Sequence, residues 1–292
     1  MEQIEYSAPK TLRQAVELLA ANGQQARMLA GGTDILVQLR GRRRSAKVLV
    51  DAKGIPQLNR LSYSRRSGLE LGAAVPCYRI YQDATVSKAY PGLIDAASLI
   101  GGIQIQGRAT VGGNLCNSAP SGDTIPPLIV LGAECKIAGP DGDRIVKAED
   151  FCTGPGRNVL QPGELLVSMH FPTPVPHSGA NYLRFIPRNE MDIAVAGVAS
   201  SVVLDARGRN FLSARISLAS VAPTPVFAKA AADSLAGKPV SEEAIEEAAE
   251  LAIKASKPIN DMRGTIPQRN HLVGVLTRRT LRNAIKRARG EE

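Results

Sequence analysis

The chain has 292 residues, 44% of them apolar but only 4% aromatic, and a formal net charge of +9. That length allows about two domains with sizeable cores, and no run approaches the roughly 18 apolar residues of a membrane span. Four cysteines (Cys77, Cys116, Cys135, Cys152) and three histidines (His170, His177, His271) are scattered without a C-x-x-C pair or a metal-ligand spacing, which predicts reduced thiols and neither a zinc nor an iron–sulfur site in this chain.

The opening MEQIEYSAPK has early acids and no apolar h-region, so no signal peptide is read and a cytoplasmic location is expected. The first helix is predicted from Thr11, which fits a capping box with Gln14, through Leu12, Ala15, Val16 and Leu19 on one face to a stop at Asn22-Gly23. A short strand over Arg27–Ala30 leads into Gly31-Gly32, a helix is expected from Thr33 or Asp34 through ILVQLR, and KVLVD at Lys47–Asp51 is the next strand. Strand, double glycine, helix and strand in that order make an α/β unit. RGRRR at Arg40–Arg44 is a basic run between them.

Farther on, LELGAA reads as a strand and PGLIDAASLIGG as a largely apolar helix. In ATVGGN the device recurs: Gly112-Gly113 stand between Thr110 and Asn114. SGDTIPPL then sets Asp123 and Thr124 at a helix start with Pro126 and Pro127 in its first turn. Cys135–Ala138 and Arg144–Val146 form a hairpin around GPDGD, and LLVSMHF is a strand at Leu165–Phe171. PTPVPHSG is proline-rich and poor in apolar residues, so a domain junction is expected near residue 176. Beyond it, Ile193–Leu204 and Ile216–Val221 read as antiparallel strands. One helix begins at a Ser241 cap; another carries Leu281, Ala284, Ile285 and Ala288 on one face with arginines elsewhere. That basic C-terminal run reads as a solvated face, then as a docking surface for an acidic partner. With few aromatics among its charges it offers no stacking platform for nucleic acid.

The paired glycines raise the chemical question. Glycine reaches φ > 0 and lets another group approach the main chain. Followed by a helix start, such a loop presents amide N–H groups to an anion. Thr33 and Asp34 then serve either as helix caps or as hydrogen-bonding groups to a ligand. Asp123 serves either as an N-cap or as an acceptor for a sugar or ribityl hydroxyl. Two such loops about eighty residues apart can grip one extended diphosphate, and a dinucleotide is the natural candidate. Asp51 stands where a nicotinamide-binding fingerprint wants its ribose acid, but LAGGTDIL lacks the spaced glycines of G-x-G-x-x-G. Neither a phosphate-binding G-x-x-x-x-G-K-[ST] nor a G-x-S-x-G elbow occurs.

LAGGTD, ATVGGNLCNSAPSGDTIPPL, GPGRNVLQPGELLVSMHFP, NEMDIAVAGVA and the late PINDMRGT followed by HLVGVLTRR together resemble the FAD-binding (medium) subunits of the molybdenum hydroxylases, the xanthine and carbon monoxide dehydrogenases. The resemblance runs along essentially the whole chain. It implies a mixed α/β and α+β fold: a two-subdomain FAD-binding α/β domain over residues 1–176 (subdomains about 1–55 and 56–176), then a smaller α+β domain, antiparallel sheet plus helices, over 177–292. It implies that Ala30, Gly31, Gly32, Thr33 and Asp34 follow the FAD diphosphate and ribityl chain, with Arg27, Met28 and Leu29 leading in. Thr110, Val111, Gly112, Gly113 and Asn114 would form the second clamp. Asp123 would take a hydroxyl on the adenosine side, and Leu166 and Ile100 would face the isoalloxazine. Arg184, where lysine is frequent, would set a positive charge near the ring, with Arg188 and Asp192 either in the same wall or as a structural ion pair. IQIQGRATVGGN departs from the relatives' I-R-N-x-G-T at Gln106, Gly107 and Ala109. The implied function is electron transfer: molybdopterin in a large partner subunit hydroxylates the substrate, two [2Fe–2S] clusters in a small subunit relay electrons to FAD here, and an external acceptor takes them. A dimer of such three-subunit units is expected, with no catalytic acid, base or nucleophile in this chain. The alternative is a free-standing flavin- or nicotinamide-dependent oxidoreductase.

Overall fold

The computed structural model describes residues 3–291. The N-terminal layer is a three-stranded sheet in the order Glu5–Ser7, Val48–Asp51, Ala26–Leu29, with both neighbouring pairs parallel. Val48–Asp51 is buried along its whole length, as the centre of a parallel sheet requires. The Leu12–Asn22 helix crosses over between strands. Thr11 Oγ accepts the Gln14 N–H at 3.2 Å, and Gly23 at φ 49° ends the helix. The reciprocal arm of the box lands one residue early, because Gln14 Oε1 takes the Lys10 N–H. Ala15 and Leu19 pack on Val48, Val50, Leu165 and Val167.

The middle layer is a five-stranded, wholly antiparallel sheet: Leu61–Ser64, Gly68–Gly72, Leu165–Phe171, Glu134–Gly139, Gly142–Lys147. Short helices cover it, among them Pro91–Ala97, Val111–Asn117 and Ile125–Val130, around a core that includes Leu69, Leu93, Leu115, Leu128, Met169 and Phe171. PGLIDAASLIGG is not one helix. It stops at Ala97, and after Gly101 at φ 56° a separate turn forms over Ile103–Gln106. Gln106 is buried there, accepting from Tyr81 Oη and donating to Ser98 O, so this departure from the relatives has an internal use.

Leu165–Phe171 belongs to two cores at once. Leu165 and Val167 face the N-terminal layer, whereas Leu166, Met169 and Phe171 face the middle one. An irregularity in register between Leu166 and Ser168 inserts one residue and shifts the alternation. Without it Leu166 would share a side with Ser168 rather than Met169.

The C-terminal layer is an antiparallel meander of Ser178–Phe185, Ala196–Leu204, Phe211–Ala219 and Val226–Phe227, backed by helices Glu242–Ala255 and Ile266–Arg289. The chain has no helix or strand through 172–175 before it. Ser178–Phe185 has no signature in its sequence because its small residues serve contact rather than alternation. A Cβ on Gly179 would lie 2.1 Å from Ala284 O, so the last helix rests on the strand's backbone. Several of that helix's arginines are paired: Arg278 with Glu246, Arg282 with Glu242 at 2.5 Å, and Arg287 with Asp95 at 2.6 Å. No helix among the described residues is long and apolar enough to cross a membrane.

Candidate functional site

A cleft of about 680 Å³ opens between the N-terminal and middle layers. Both double glycines line it, as do Arg27, Met28, Ala30, Thr33, Asp34, Ile100, Thr110, Asn114 and Leu166. The two loops also touch. A Cβ on Gly31 would lie 2.2 Å from Arg108 O, and Arg108 Nε donates to Gly31 O at 3.2 Å.

The four glycines therefore divide in role. Gly31 permits the approach of one loop to the other, and Gly112 permits the Val111–Asn117 helix to rest on Ala73, whose oxygen would be 2.5 Å from a Cβ. Gly32 holds φ 82°, the left-handed region that favours glycine. A Cβ on Gly113 would meet only Thr110 Oγ1, which already caps the helix by accepting the Gly113 N–H at 2.8 Å. Among the described residues the amides of Gly32, Thr33 and Gly112 have no acceptor. These are polar donors on a cleft wall, the chemistry that seats a phosphate.

Polar side chains fix the walls. Asn114 Oδ1 accepts from Thr124 Oγ1 at 2.7 Å and thereby positions the start of the Ile125–Val130 helix. Gln38 Nε2 donates to Asn117 Oδ1 at 3.0 Å, tying the helices behind the two loops together. Asp34 occupies the cap position of its helix without bonding an amide, and burial raises its carboxyl above the ordinary range. Leu166 is buried and Ile100 half-buried, and both belong to an apolar part of the lining that also includes Met28, Leu58 and Leu165. Leu29 and Val111 are buried and lie outside the lining.

Asp123 and Arg184 do not join the lining. Thr124 takes the cap position, and the Asp123 carboxylate turns away to receive Tyr182 Oη and Arg184 Nη1, each at 2.6 Å. Arg184 is 5% exposed in its side chain, and its charge is met by this carboxylate. Burial raises the Asp123 carboxyl, against the opposing pull of Arg184 and the Tyr182 hydrogen bond. Arg188 and Asp192 form an i,i+4 pair at 3.3 Å, in agreement with the structural role.

Sequence reasoning missed other lining residues. Arg44, from the basic run Arg40–Arg44, and Arg157, from GPGRNVL, both face the cleft with Gln38 and Glu164. Nothing local marks them, because segments more than a hundred residues apart meet there. Cys116 also lines the cleft, and burial pushes its thiol up to about 12. Among the described residues no group of three His, Cys, Asp or Glu is placed to hold a metal.

The family model for the FAD-binding domain in molybdopterin dehydrogenase covers residues 2–174, and that for the CO dehydrogenase flavoprotein C-terminal domain covers 181–284. The chain is 33% identical over 287 residues to the xanthine dehydrogenase FAD-binding subunit of Escherichia coli O157:H7, spanning 98% of this chain and 97% of that one. It is 32% identical to the carbon monoxide dehydrogenase medium chain of Afipia carboxidovorans, spanning 98% of each. Among solved structures, Cu,Mo-CO dehydrogenase superposes with a TM-score of 0.92 at 30% identity over 98% of both chains. Quinoline 2-oxidoreductase from Pseudomonas putida 86 superposes with 0.89 at 30% identity, again over 98% of both.

Proposed function

The chain belongs to the family of FAD-binding subunits of molybdenum hydroxylases, and from that premise we propose that the cleft between its two glycine loops is where it seats FAD. It is the flavoprotein subunit of an oxidoreductase whose substrate chemistry lies in partner subunits. The observation that supports the site is the meeting of the two loops across one cleft, with the amides of Gly32, Thr33 and Gly112 free to bind phosphate oxygens. Bound there, the flavin supplies the redox step between iron–sulfur clusters of a small partner and an external acceptor.

The chain's own residues bind and orient. The glycine-loop amides hold the diphosphate, while Thr33, Asp34, Thr110 and Asn114 offer hydrogen bonds along the cleft. Leu166 and Ile100 give the ring an apolar seat. Asp123 and Arg184 act as wall residues through their bond to each other, rather than as direct ligands. No general acid, base or nucleophile is needed.

The wider assembly in this proposal is a large molybdopterin subunit and a small [2Fe–2S] subunit, two copies of each three-subunit unit, in the cytoplasm. The free-standing oxidoreductase is not favoured, since the relatives that span the whole chain are subunits. Purification of the intact complex under native conditions tests the proposal. We expect the two-band visible absorption of oxidised flavin, with iron and molybdenum co-purifying. Assays with NAD, oxygen and quinones then identify the acceptor. A colourless chain without partners overturns the proposal.

A further inference from the structure

The cleft contains more positive charge than its glycine loops explain. Arg27, Arg44 and Arg157 all line it, though they come from a strand, a basic loop and a hairpin far apart in the chain. They are also close together. Arg44 Nη2 donates to Gly156 O at 3.2 Å, next to Arg157, and Arg44 is near enough to Arg27 to weaken its hold on its proton, an effect second to burial. Among the described residues, none of the three has a carboxylate within ion-pair distance. Of the cleft's two carboxylates, Glu164 is held in a two-pronged bond by Arg144, and Asp34 makes no ion pair. Arg27 Nε is buried and has no hydrogen-bond partner.

Three like charges gathered without a counter-ion, one with a buried orphan donor, are a site that an anion would complete. Guanidinium forks match phosphate oxygens better than any other common anion-binding side chain. We propose that Arg27, Arg44 and Arg157 form a phosphate seat in this cleft, separate in the sequence from both glycine loops. The proposal rests on the cleft being a nucleotide site. The phosphate is either the flavin dinucleotide's own or that of a second, smaller ligand bound beside it.

The test uses the complete chain and the variant R44Q/R157Q, whose two side chains reach solvent and leave the half-buried Arg27 in place. Flavin-stripped protein is titrated with FAD and with riboflavin at several salt concentrations, and FAD-loaded protein is titrated with inorganic pyrophosphate. If the seat takes the dinucleotide's phosphates, the variant binds FAD at least about tenfold more weakly. Its salt dependence is then flatter, and riboflavin binding is unchanged. If the seat takes a second ligand, FAD binding is unchanged, but pyrophosphate binds the loaded wild type and not the loaded variant. Equal FAD affinity, equal salt dependence and equal pyrophosphate binding in the two proteins overturn the seat. Arginine-dependent pyrophosphate binding by a wild-type chain that retains no flavin would leave the seat standing and overturn the FAD assignment of the cleft.

Discussion

Gly31 and Gly113 look alike in sequence and differ in what surrounds them. Gly31→Ala puts a methyl group 2.2 Å from a backbone oxygen of the other loop, a clash that no side-chain rotation relieves. It is expected to cost roughly 1–3 kcal/mol or more, visible as a lower melting temperature with or without flavin. Gly113→Ala meets only Thr110 Oγ1, so we expect a smaller stability loss and a disproportionate fall in bound flavin, measured as the flavin-to-protein ratio. Equal effects on both quantities in both variants would refute the division of roles. The Asp123–Arg184 pair makes a second residue-scale prediction. Asp123→Asn leaves a guanidinium that is 5% exposed without its counter-charge, and should cost about 3–5 kcal/mol in urea unfolding. Tyr182→Phe, which removes one donor to that carboxylate but leaves the ion pair, should cost less, about 1.5–3 kcal/mol.

Among the elements, the Gly142–Lys147 strand and the turn before Leu165–Phe171 are clipped together beside the cleft. Arg144 grips Glu164 through two nitrogens at 2.7 Å, and that hydrogen bonding holds the Glu164 carboxyl below its ordinary value of 4.5. A lowered carboxyl pKa in the folded chain means a contribution that is fully present above the ordinary carboxyl range. It is lost as pH falls through the lowered value. Stability measured from neutral to acid pH should therefore drop less steeply in Glu164→Gln than in the wild type. An identical slope in both would show that the clip contributes nothing. The bulge in the same strand decides which core receives Leu166, and alternation read from LLVSMHF cannot reveal it, since all but one of those seven residues are buried.

At the scale of the molecule, one carboxylate fastens the C-terminal layer to the middle one. Asp95 accepts from Asn181 Nδ2, the Tyr182 amide and both terminal nitrogens of Arg287. Ser201 Oγ and Arg215 Nε add bonds to the carbonyls of Val130 and Ile129. Asp95→Asn should destabilise the chain by about 2–4 kcal/mol, because a half-buried cation loses its counter-charge and one accepting oxygen becomes an NH2 donor facing it. Denaturant unfolding with flavin absorbance and circular dichroism as separate probes would show whether the layers come apart in one step. Two transitions in the variant against one in the wild type is the expected signature.

Local signals were strong where a residue's job is local. Thr11, Gly23 and Ser241 mark helix ends by chemistry contained within one turn, and VLVD announces a buried strand because every side chain in it is apolar or ends it. The paired glycines pointed to a backbone open to a ligand, and the combined motifs pointed to the family. Convergence across the chain was not legible. Only folding brought Arg27, Arg44 and Arg157 together, turned Asp123 from a helix cap into the acceptor of Tyr182 and Arg184, and matched the C-terminal arginines with glutamates of the neighbouring helix. A sequence fixes what each side chain is able to bind. Which partner it meets is decided by packing between segments scores of residues apart, whose geometry no local pattern encodes.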